Sequence, residues 1–299
     1  MYFIKKYKKG IFNKYSAKKD KIDIFLKDTS YLIRKIYFFF ANGFKNKNIL
    51  IYPHYPGRKA GMFQLAKKLN YNLTNKIPKK YELAVYWEYE TFRKEFELID
   101  KISKHKKVIN LKSRDISKKK VDEVFTKIFG YSSLVNPLEF EGKCVKKGDI
   151  NGLHNGQIIT CPIEKTDENY IYQRIIETTN EENMTTEVRV AIINDKIPYC
   201  LMKHKTKDDL FSVGFNKSKL INEEDFFTKE EIQLILKFCK EFNFEFGELD
   251  IMRDDNNGKI YIIDTNNTPQ QRLGKDKNTK KTVYNNLAKI FKEEFISSR

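Results

Sequence analysis

No stretch of this 299-residue chain is apolar for long enough to cross a bilayer. The longest apolar run, Ile36 to Phe40, is far shorter than the roughly 20 residues that a membrane-spanning helix needs. Residues 1–22 are basic, but neither the apolar segment nor the small-residue cleavage site of a signal peptide follows them. We therefore expect a cytoplasmic protein.

Cysteine and histidine are also scarce, with four of each in the chain. The cysteine spacings match no zinc or redox motif, and the histidines are scattered along the sequence. This usage is typical of reduced, mostly buried thiols in a cytoplasmic protein. The cysteines concerned are Cys144, Cys161, Cys200 and Cys239.

Acidic residues are outnumbered, since 57 lysines and arginines against 40 aspartates and glutamates give a net charge of +17. Such a surplus attracts nucleotides, nucleic acid, anionic glycans or an anionic membrane surface. It does not choose among these partners, and coding bias combined with solubility explains it equally well. Much of the surplus lies in residues 1–22 and 101–120. The first of these segments also carries interleaved aromatic residues and is a candidate surface-binding arm.

The apolar fraction of 40% is sufficient for a folded core, and the pattern divides the chain into regions. Residues 1–45 read as a basic arm followed by a helix over 23–45. Over residues 46–112, short apolar strands alternate with helices, which predicts a small α/β domain with a parallel sheet. Ligands of such sheets bind beyond the carboxyl ends of the strands, here residues 53–58 and 87–90.

The remainder is richer in strands. A helix is predicted over 117–129, strands over 143–146, 157–160, 170–173, 187–193 and 197–201, and a helix over 229–242. Two further strands, 246–252 and 259–264, are joined by the turn sequence Asp-Asp-Asn-Asn-Gly, which is a strong hairpin signal. A helix over 280–297 closes the chain.

The last hairpin carries three oxygen donors. Asp264 and Asn266 are two residues apart on one strand and point to the same face, and Asp250 lies on the paired strand. Carboxylate and amide oxygens in such a patch suit a magnesium ion whose coordination is completed by substrate phosphates. The alternative is that Asp264 and Asn266 are ordinary strand-end and turn residues.

A polar loop follows Lys146 and contains Gly148, Gly152 and Gly156. Glycines allow a backbone to close over phosphates, and a lysine before them can reach phosphate oxygens. The loop lacks the Gly-Lys-Ser/Thr ending of a Walker A motif. A plain β-hairpin loop is the alternative interpretation.

The order of these features resembles the ATP-grasp superfamily, which includes carboxylate–amine ligases such as ribosomal-protein glutamate ligases and D-alanine–D-alanine ligases. The resemblance covers roughly residues 106–275, and residues 46–112 are similar to the preATP-grasp domain of the family. It implies an α/β (α+β) fold with a lid subdomain over 113–175 and a C-terminal subdomain with the metal site over 176–299. ATP and Mg²⁺ are the implied cofactors.

The resemblance also implies roles for particular residues in binding the nucleotide. Lys146 and Gly152 look like parts of the flap that covers the phosphates, although Lys147 stands where the family often has proline. The adenine would lie against the hinge, the ribose hydroxyls against an acid, and the phosphates near further lysines. The positions concerned are Gln173, Arg174 and Ile175 for the hinge, Glu187 for the acid, and Lys119 or Lys120 for the lysines. Apart from the resemblance, Lys203 is a candidate for contact with phosphate or the acceptor, with a solvated charge run as the alternative.

Catalysis and metal binding are implied at four positions. Arg189 resembles the arginine that stabilises the transferred phosphoryl group, and Asp250, Asp264 and Asn266 resemble the magnesium ligands. Asp264 replaces the glutamate that is commoner in the family, so the number of ions stays open. Arg58, Lys59 and Arg272 are additional candidates for binding a substrate carboxylate.

The implied function is ATP-dependent joining of a carboxylate to an amine through an acyl-phosphate. The substrate would be an acidic small molecule or a glycan, as in surface-polysaccharide modification, while nucleic acid is the less favoured partner. Two alternatives are a kinase of the same fold and an inactive scaffold that binds anionic polymers or membrane. Residues 1–22 would supply any peripheral contact with the inner face of a membrane.

Overall fold

The computed structural model describes residues 18–58, 60–178, 182–206, 215–271, 273–274 and 276–297. The chain forms two compact units. One comprises the residues up to Lys47 with Asn70–Asn72, and the other comprises Asn48–Leu69 with Leu73–Arg299. Most of the predicted basic arm, together with Lys59 and Arg272, lies outside the described residues.

The first unit is dominated by helix α1 (Lys18–Ala41), which begins earlier than the helix predicted over 23–45. The helix ends where Gly43 and Phe44 both adopt positive φ values, 61° and 60°. The Phe44 amide donates to the Phe39 carbonyl at 2.9 Å, which satisfies one of the carbonyls that every helix end leaves without a helical partner. A positive φ is costly for phenylalanine, so this ending holds the Phe44 ring in an unusual position.

The second unit contains, apart from Asn72, a four-stranded sheet in the order β2-β1-β3-β4. Its strands are β1 (Asn48–Pro53), β2 (Asn72–Thr74), β3 (Ala84–Trp87) and β4 (Val108–Ile109), with helices α2 (Gly61–Lys68) and α3 (Glu97–Ser103) between them. β3 pairs in parallel with both β1 and β4, which confirms the predicted parallel sheet. All four residues of β3 are buried, as continuous apolar strands of parallel sheets generally are.

A three-stranded antiparallel sheet, which we call the lid, follows helix α4 (Lys118–Phe129). It consists of β5 (Gly142–Gly148), β6 (Gln157–Cys161) and β7 (Tyr170–Arg174) in the order β6-β5-β7. Cys144, Cys161 and Tyr172 form its small core. Helix α4 is capped by the Ser117 side chain and ends at Gly130, whose φ of 80° allows the chain to turn away.

The central sheet has five antiparallel strands in the order β10-β9-β8-β11-β12. They are β8 (Met184–Ile193), β9 (Cys200–Thr206), β10 (Lys217–Ile221), β11 (Phe246–Arg253) and β12 (Ile260–Asn266). Helices α5 (Lys229–Glu241) and α6 (Lys277–Lys292) complete the chain. The hairpin predicted at the end of the sequence is formed by β11 and β12.

The two faces of the central sheet differ because successive side chains of a strand point to opposite sides. Val188, Val190 and Leu249 share the main core with residues of α4 and α5, such as Phe125 and Phe238. Burying each of these side chains contributes about 1.5–3 kcal/mol to stability. The alternate residues of the same strands form the polar face described below.

Asn110 joins the first sheet to the central sheet. It is fully buried and has a φ of 59°, a conformation that asparagine tolerates better than most residues. Its Nδ2 donates to the Phe246 carbonyl at 2.6 Å, while its Oδ1 accepts from the amides of Glu245 and Phe246 at 3.0 Å each. One side chain thus satisfies three backbone groups at the start of β11.

The predictions on cysteines and membrane spans can be compared directly with this structure. All four cysteines are buried and free of disulfide bonds. Across the described ranges, no helix is both long and apolar enough to span a membrane.

Candidate functional site

Strand register places five of the predicted site residues side by side on the central sheet. Asp250 of β11 lies opposite Arg189 of β8 and, on its other side, opposite Asp264 of β12. Glu187 of β8 lies opposite Lys203 of β9. Directly opposed residues have Cβ atoms about 4.5–5.5 Å apart, so these side chains interact across the strands. We call this surface the polar face.

Arg189 and Asp250 form a bidentate pair. Arg189 donates from Nε to Asp250 Oδ1 and from Nη2 to Oδ2, each at 2.8 Å. Burial favours the neutral form of Asp250, but the charges of Arg189 and Lys203 outweigh it and hold the pKa of this carboxyl well below its usual range. Both charges therefore persist at neutral pH, and the guanidinium plane is fixed in position.

Lys203 joins Glu187 to the same pair. Its ammonium contacts the Glu187 carboxylate and lies 3.1 Å from Asp250 Oδ1, and only 4% of its side chain is exposed. Burial, followed by the Asp250 charge, raises the pKa of Glu187, while Lys203 counteracts both effects. A buried lysine between two carboxylates keeps both of them in place.

Glu248 and Tyr199 belong to the polar face but escaped the sequence analysis. The Glu248 carboxylate is 2% exposed, accepts a hydrogen bond from the Tyr199 hydroxyl and lies 3.7 Å from Arg189 Nε. Burial raises the pKa of Glu248. Its position two residues before Asp250 on one strand was a signal that could have found it, whereas Tyr199 offered none.

Asp264 Oδ1 is buried without any hydrogen-bond donor. Glu248 Oε2 shares this property, but it lies 3.7 Å from Arg189 Nε, and the other oxygen of Glu248 accepts from Tyr199. Burial raises the pKa of this carboxyl, and the Asp250 charge adds to the effect. Lys118 and Lys147 act in the opposite direction, since both lie close enough to lower it. A buried carboxylate oxygen without a donor is suited to a cation.

The other two predicted metal ligands have protein partners. Asp250 uses both oxygens for Arg189, and Asn266 Oδ1 accepts from the Thr268 amide at 2.9 Å and from the Thr268 hydroxyl at 3.3 Å. In the part of the chain that the structure describes, no group of three or more acidic, histidine or cysteine side chains could hold a metal ion. Magnesium in nucleotide sites is often held by one or two carboxylates and by phosphate oxygens, a pattern that Asp264 fits.

The lid contributes Lys147 rather than Lys146 to this region. Lys147 interacts electrostatically with Asp264 and Glu187, and burial together with the neighbouring Lys118 lowers its pKa to about 8. Lys146 points to the other face of β5, where its ammonium lies over the Tyr170 ring at 4.5 Å. Adjacent strand residues face opposite ways, so of the two lysines it is Lys147, one residue after the predicted Lys146, that lies on the side of Asp264 and Glu187.

The glycine-bearing loop after β5 is tied to several elements. Gly152 has a φ of 80°, which favours glycine, and the Gly148 amide donates to Asn155 Oδ1 at 3.0 Å. The Asn151 amide donates to Thr91 Oγ1 at 2.9 Å, and Asn151 Nδ2 donates to the carbonyls of Ile116 and Thr265. Lys118 Nζ donates to Asn151 Oδ1 at 2.9 Å, which holds the loop beside α4.

The three consecutive lysines at the start of α4 have different contacts. Lys118 donates to Asn151 and interacts electrostatically with Asp264, whereas Lys120 pairs with Glu123 on the helix surface. Lys119 Nζ donates to the Glu168 carbonyl at 2.6 Å and lines a cleft of about 360 Å³ with Phe92 and lid residues. No residue of the polar face lines that cleft, so the structure does not bring Lys119 together with the polar face.

The predicted hinge lies where the lid returns to the central sheet. Gln173 is buried, and its Nε2 donates to Ser133 Oγ at 2.9 Å, while the Arg174 amide donates to the Ser133 carbonyl at 3.0 Å. The Arg174 guanidinium lies 5.8 Å from the centre of the Tyr261 ring. Ile175 follows directly after β7, and this segment leads from the lid into β8.

The strand ends of the first sheet also hold aromatic and charged groups. His54 stacks on Tyr89 with ring centres 5.6 Å apart. Arg93 was not singled out from the sequence, yet it is buried and donates to the carbonyls of Tyr86 at 3.1 Å and Asn267 at 3.5 Å. Arg93 therefore links this edge to the segment that follows β12.

Comparison with known proteins identifies the fold. No protein-family model matches the chain, and no curated protein matches its sequence. The structure is similar to the D-alanine–D-alanine ligase from Bacillus anthracis complexed with ATP, with a TM-score of 0.54 and 12% identity, covering 84% of this chain and 97% of that one.

A second similar structure is the ATP-grasp ligase PsnB complexed with a minimal precursor, Mg and ADP. Its TM-score is 0.53 at 10% identity, covering 83% of this chain and 97% of that one. PsnB with a phosphomimetic variant of the precursor gives a TM-score of 0.51 at 9% identity, covering 82% and 99%. The chain therefore has the ATP-grasp fold, which confirms the predicted fold class.

Proposed function

We propose that the protein is a magnesium- and ATP-dependent ligase that joins a carboxylate to an amine through an acyl-phosphate and releases ADP. The proposal rests on one observation above all. Two cations, Lys147 of the lid and Lys118 of α4, converge on Asp264, an acid whose buried oxygen has no protein donor. Phosphates with a bound cation are the group that such an arrangement accommodates.

Each charged residue then has a separate role in binding. Lys147 and Lys118 bind the phosphate oxygens of the nucleotide, which takes over from Asp264 as their anionic partner. Asp264 holds the magnesium ion, which would offset the charge of the transferred phosphoryl group. Asp250 orients Arg189 through the bidentate pair, and Lys203 with Glu187 completes the wall of the site.

The proposed reaction has two steps. A carboxylate oxygen of the substrate attacks the γ-phosphorus, and the bond from that phosphorus to the bridging oxygen breaks as ADP leaves. The amine then attacks the acyl carbon, phosphate leaves, and the amine loses a proton. Arg189, fixed by Asp250, stabilises the negative charge that develops on the transferred group.

The substrate class follows from charge and from the similar proteins. A net charge of +17 favours an acidic carboxylate substrate, such as an acidic sugar, a glycan or an acidic peptide. One PsnB structure holds a minimal precursor of that enzyme. Peptides therefore belong beside acidic sugars among the candidate substrates.

The direct test is to incubate the protein with Mg²⁺, ATP and pools of acidic sugars, amino acids, peptides and amines. We expect ADP release together with a product whose mass equals that of acid plus amine minus water. A phosphorylated product without condensation would overturn the ligase in favour of a kinase. Failure to bind ATP in the presence of Mg²⁺ would overturn both.

Lys147 and Lys146 provide a matched pair of variants within one strand. We expect Lys147→Ala to raise the KM for ATP at least about tenfold, because a charge-assisted hydrogen bond contributes about 1.5–3 kcal/mol. Lys146→Ala should leave the KM nearly unchanged, since its ammonium lies over Tyr170 on the other face. Equal effects of the two variants would contradict the assignment of Lys147.

A further inference from the structure

Helix α1 exposes a continuous row of large apolar side chains. Six residues of the helix and Phe44 just beyond it are between 49% and 67% exposed. Leu26 is seven residues from Ile33, and the other helical members are linked by steps of three or four, so all of them lie on one side of the helix. We call this surface the apolar stripe; it comprises Leu26, Leu32, Ile33, Ile36, Tyr37, Phe40 and Phe44.

The end of the helix adds to the stripe. The Phe44 ring packs edge-on against Phe40 with centres 5.3 Å apart and against Phe39 at 5.7 Å. The positive φ of Phe44 is what brings its ring back to the helix. The three rings form an aromatic cluster, yet Phe40 and Phe44 remain 57% and 67% exposed.

The stripe is separate from the buried side of the helix. Phe38 is 5% exposed, and at 100° per residue it lies on the side opposite Ile33 and Phe40. Arg34 projects from the same side as Phe38 by the same geometry. The stripe is therefore an apolar surface additional to the buried side of the helix.

Charge indicates what covers the stripe. Residues 1–47 contain thirteen lysines and arginines but only three acidic residues, a surplus of ten within the total of +17. Two copies of the chain that met through their stripes would bring two such surpluses together, which is unfavourable. A negatively charged apolar surface satisfies both properties, and lipid bilayers with anionic headgroups are such surfaces.

We propose that helix α1 lies in the surface of an anionic membrane, with the apolar stripe at the boundary between headgroups and acyl chains. The positive surplus of residues 1–47 attracts the protein to the anionic headgroups. This binding is peripheral, and it does not depend on the proposed ligase activity. Its effect is to hold the protein at a membrane surface.

The test uses the full chain and vesicles of phosphatidylcholine with or without phosphatidylglycerol. We expect sedimentation with the anionic vesicles, weaker binding to neutral vesicles, and weaker binding in high salt because of charge screening. Ile33→Asn/Phe40→Asn should lower the partition coefficient at least about tenfold, since it removes two large apolar contacts. The matched control, Leu138→Asn/Ile158→Asn, replaces two similarly exposed apolar residues in another region and should bind like the parent.

A second readout reports depth of insertion. The four native cysteines are buried, so a polarity-sensitive dye can be attached selectively to an Ile36→Cys variant. We expect its emission to shift to shorter wavelength with anionic vesicles. Binding to neither vesicle type, or binding that the stripe variant leaves unchanged, would overturn the proposal. A dimer in solution that Ile33→Asn/Phe40→Asn abolishes would instead assign the stripe to a second copy.

Discussion

The polar face and helix α1 reverse the usual distribution of side chains in opposite ways. On the central sheet, Lys203 and Glu248 are charged residues with almost no exposure. On α1, Ile33 and Phe40 are apolar residues that are more than half exposed. Buried charge and exposed large apolar surface are the two informative departures from the rule that apolar residues lie inside.

The difference between the two regions lies in what each arrangement lacks. The charges of the polar face largely satisfy one another, but Asp264 Oδ1 and Glu248 Oε2 are buried without a hydrogen-bond donor, and we propose a cation as the partner of Asp264. The apolar stripe carries no charged side chains, but its apolar surface stays in contact with water. The first region therefore calls for a small charged ligand and the second for an extended apolar surface.

The largest effect is expected from Arg189→Met, which removes the bidentate pair with Asp250 and leaves α1 unchanged. Removing a group that stabilises developing charge typically lowers kcat by about 10²–10³-fold. We expect that loss in steady-state ADP release, with vesicle binding unchanged. Arg189→Lys keeps the charge but not the bidentate geometry, so it should recover only part of the activity. A change confined to KM would contradict the proposed role.

An intermediate effect is expected from Asp264→Asn in the unliganded protein. Because burial raises the pKa of Asp264, its ionised form costs folding free energy at neutral pH. The variant should therefore unfold a few degrees higher than the parent in thermal denaturation at neutral pH. The gain should disappear as the pH falls and the parent's carboxyl becomes protonated.

With ATP and Mg²⁺ added, the parent should unfold at a higher temperature than Asp264→Asn, because these ligands stabilise the parent more than the variant. The same comparison can be made with Asn266→Ala, whose side chain accepts bonds from Thr268 and so should only lose stability. An Asp264→Asn variant that is less stable than the parent at every pH would indicate that Asp264 already has a stabilising partner.

The smallest effect on stability is expected from Ile33→Asn/Phe40→Asn on α1. Both side chains are exposed, so we expect the free energy of unfolding to change by about 0.5 kcal/mol or less per site. Urea denaturation of parent and variant measures this directly. A large loss of stability would show that the stripe is covered within the protein, and it would remove the contrast with the polar face.

Much of the central sheet could be predicted because its strands and turns depend on residues that are close together in the sequence. Alternation along the strands and the turn before Gly258 were sufficient to locate the β11–β12 hairpin. The same periodicity placed Asp264 with Asn266 on a shared face, while Glu187 and Arg189 were implied by the family resemblance. The pairing of Asp250 with Arg189 is not local, since sixty-one positions separate the two residues.

Other features of the site depended on register or on distant contacts. The choice between Lys146 and Lys147 depends on which face of β5 packs on the lid core, and Cys144 settles it by burying its side chain there. The choice among Lys118, Lys119 and Lys120 depends on the rotation of α4. Tyr199 meets Glu248 only because two strands that are far apart in sequence are brought together by the sheet.

The three hydrogen bonds of Asn110 have a consequence for how the molecule opens. They join the first sheet to the beginning of β11, so we expect these two parts to move together as one rigid body. The lid is connected to that body by the segment after Arg174 and by the hydrogen bonds of Asn151. Lys119 of α4 also binds the Asp149 side chain through its amide and the Glu168 carbonyl through its ammonium, so a movement of the lid would have to break several hydrogen bonds together.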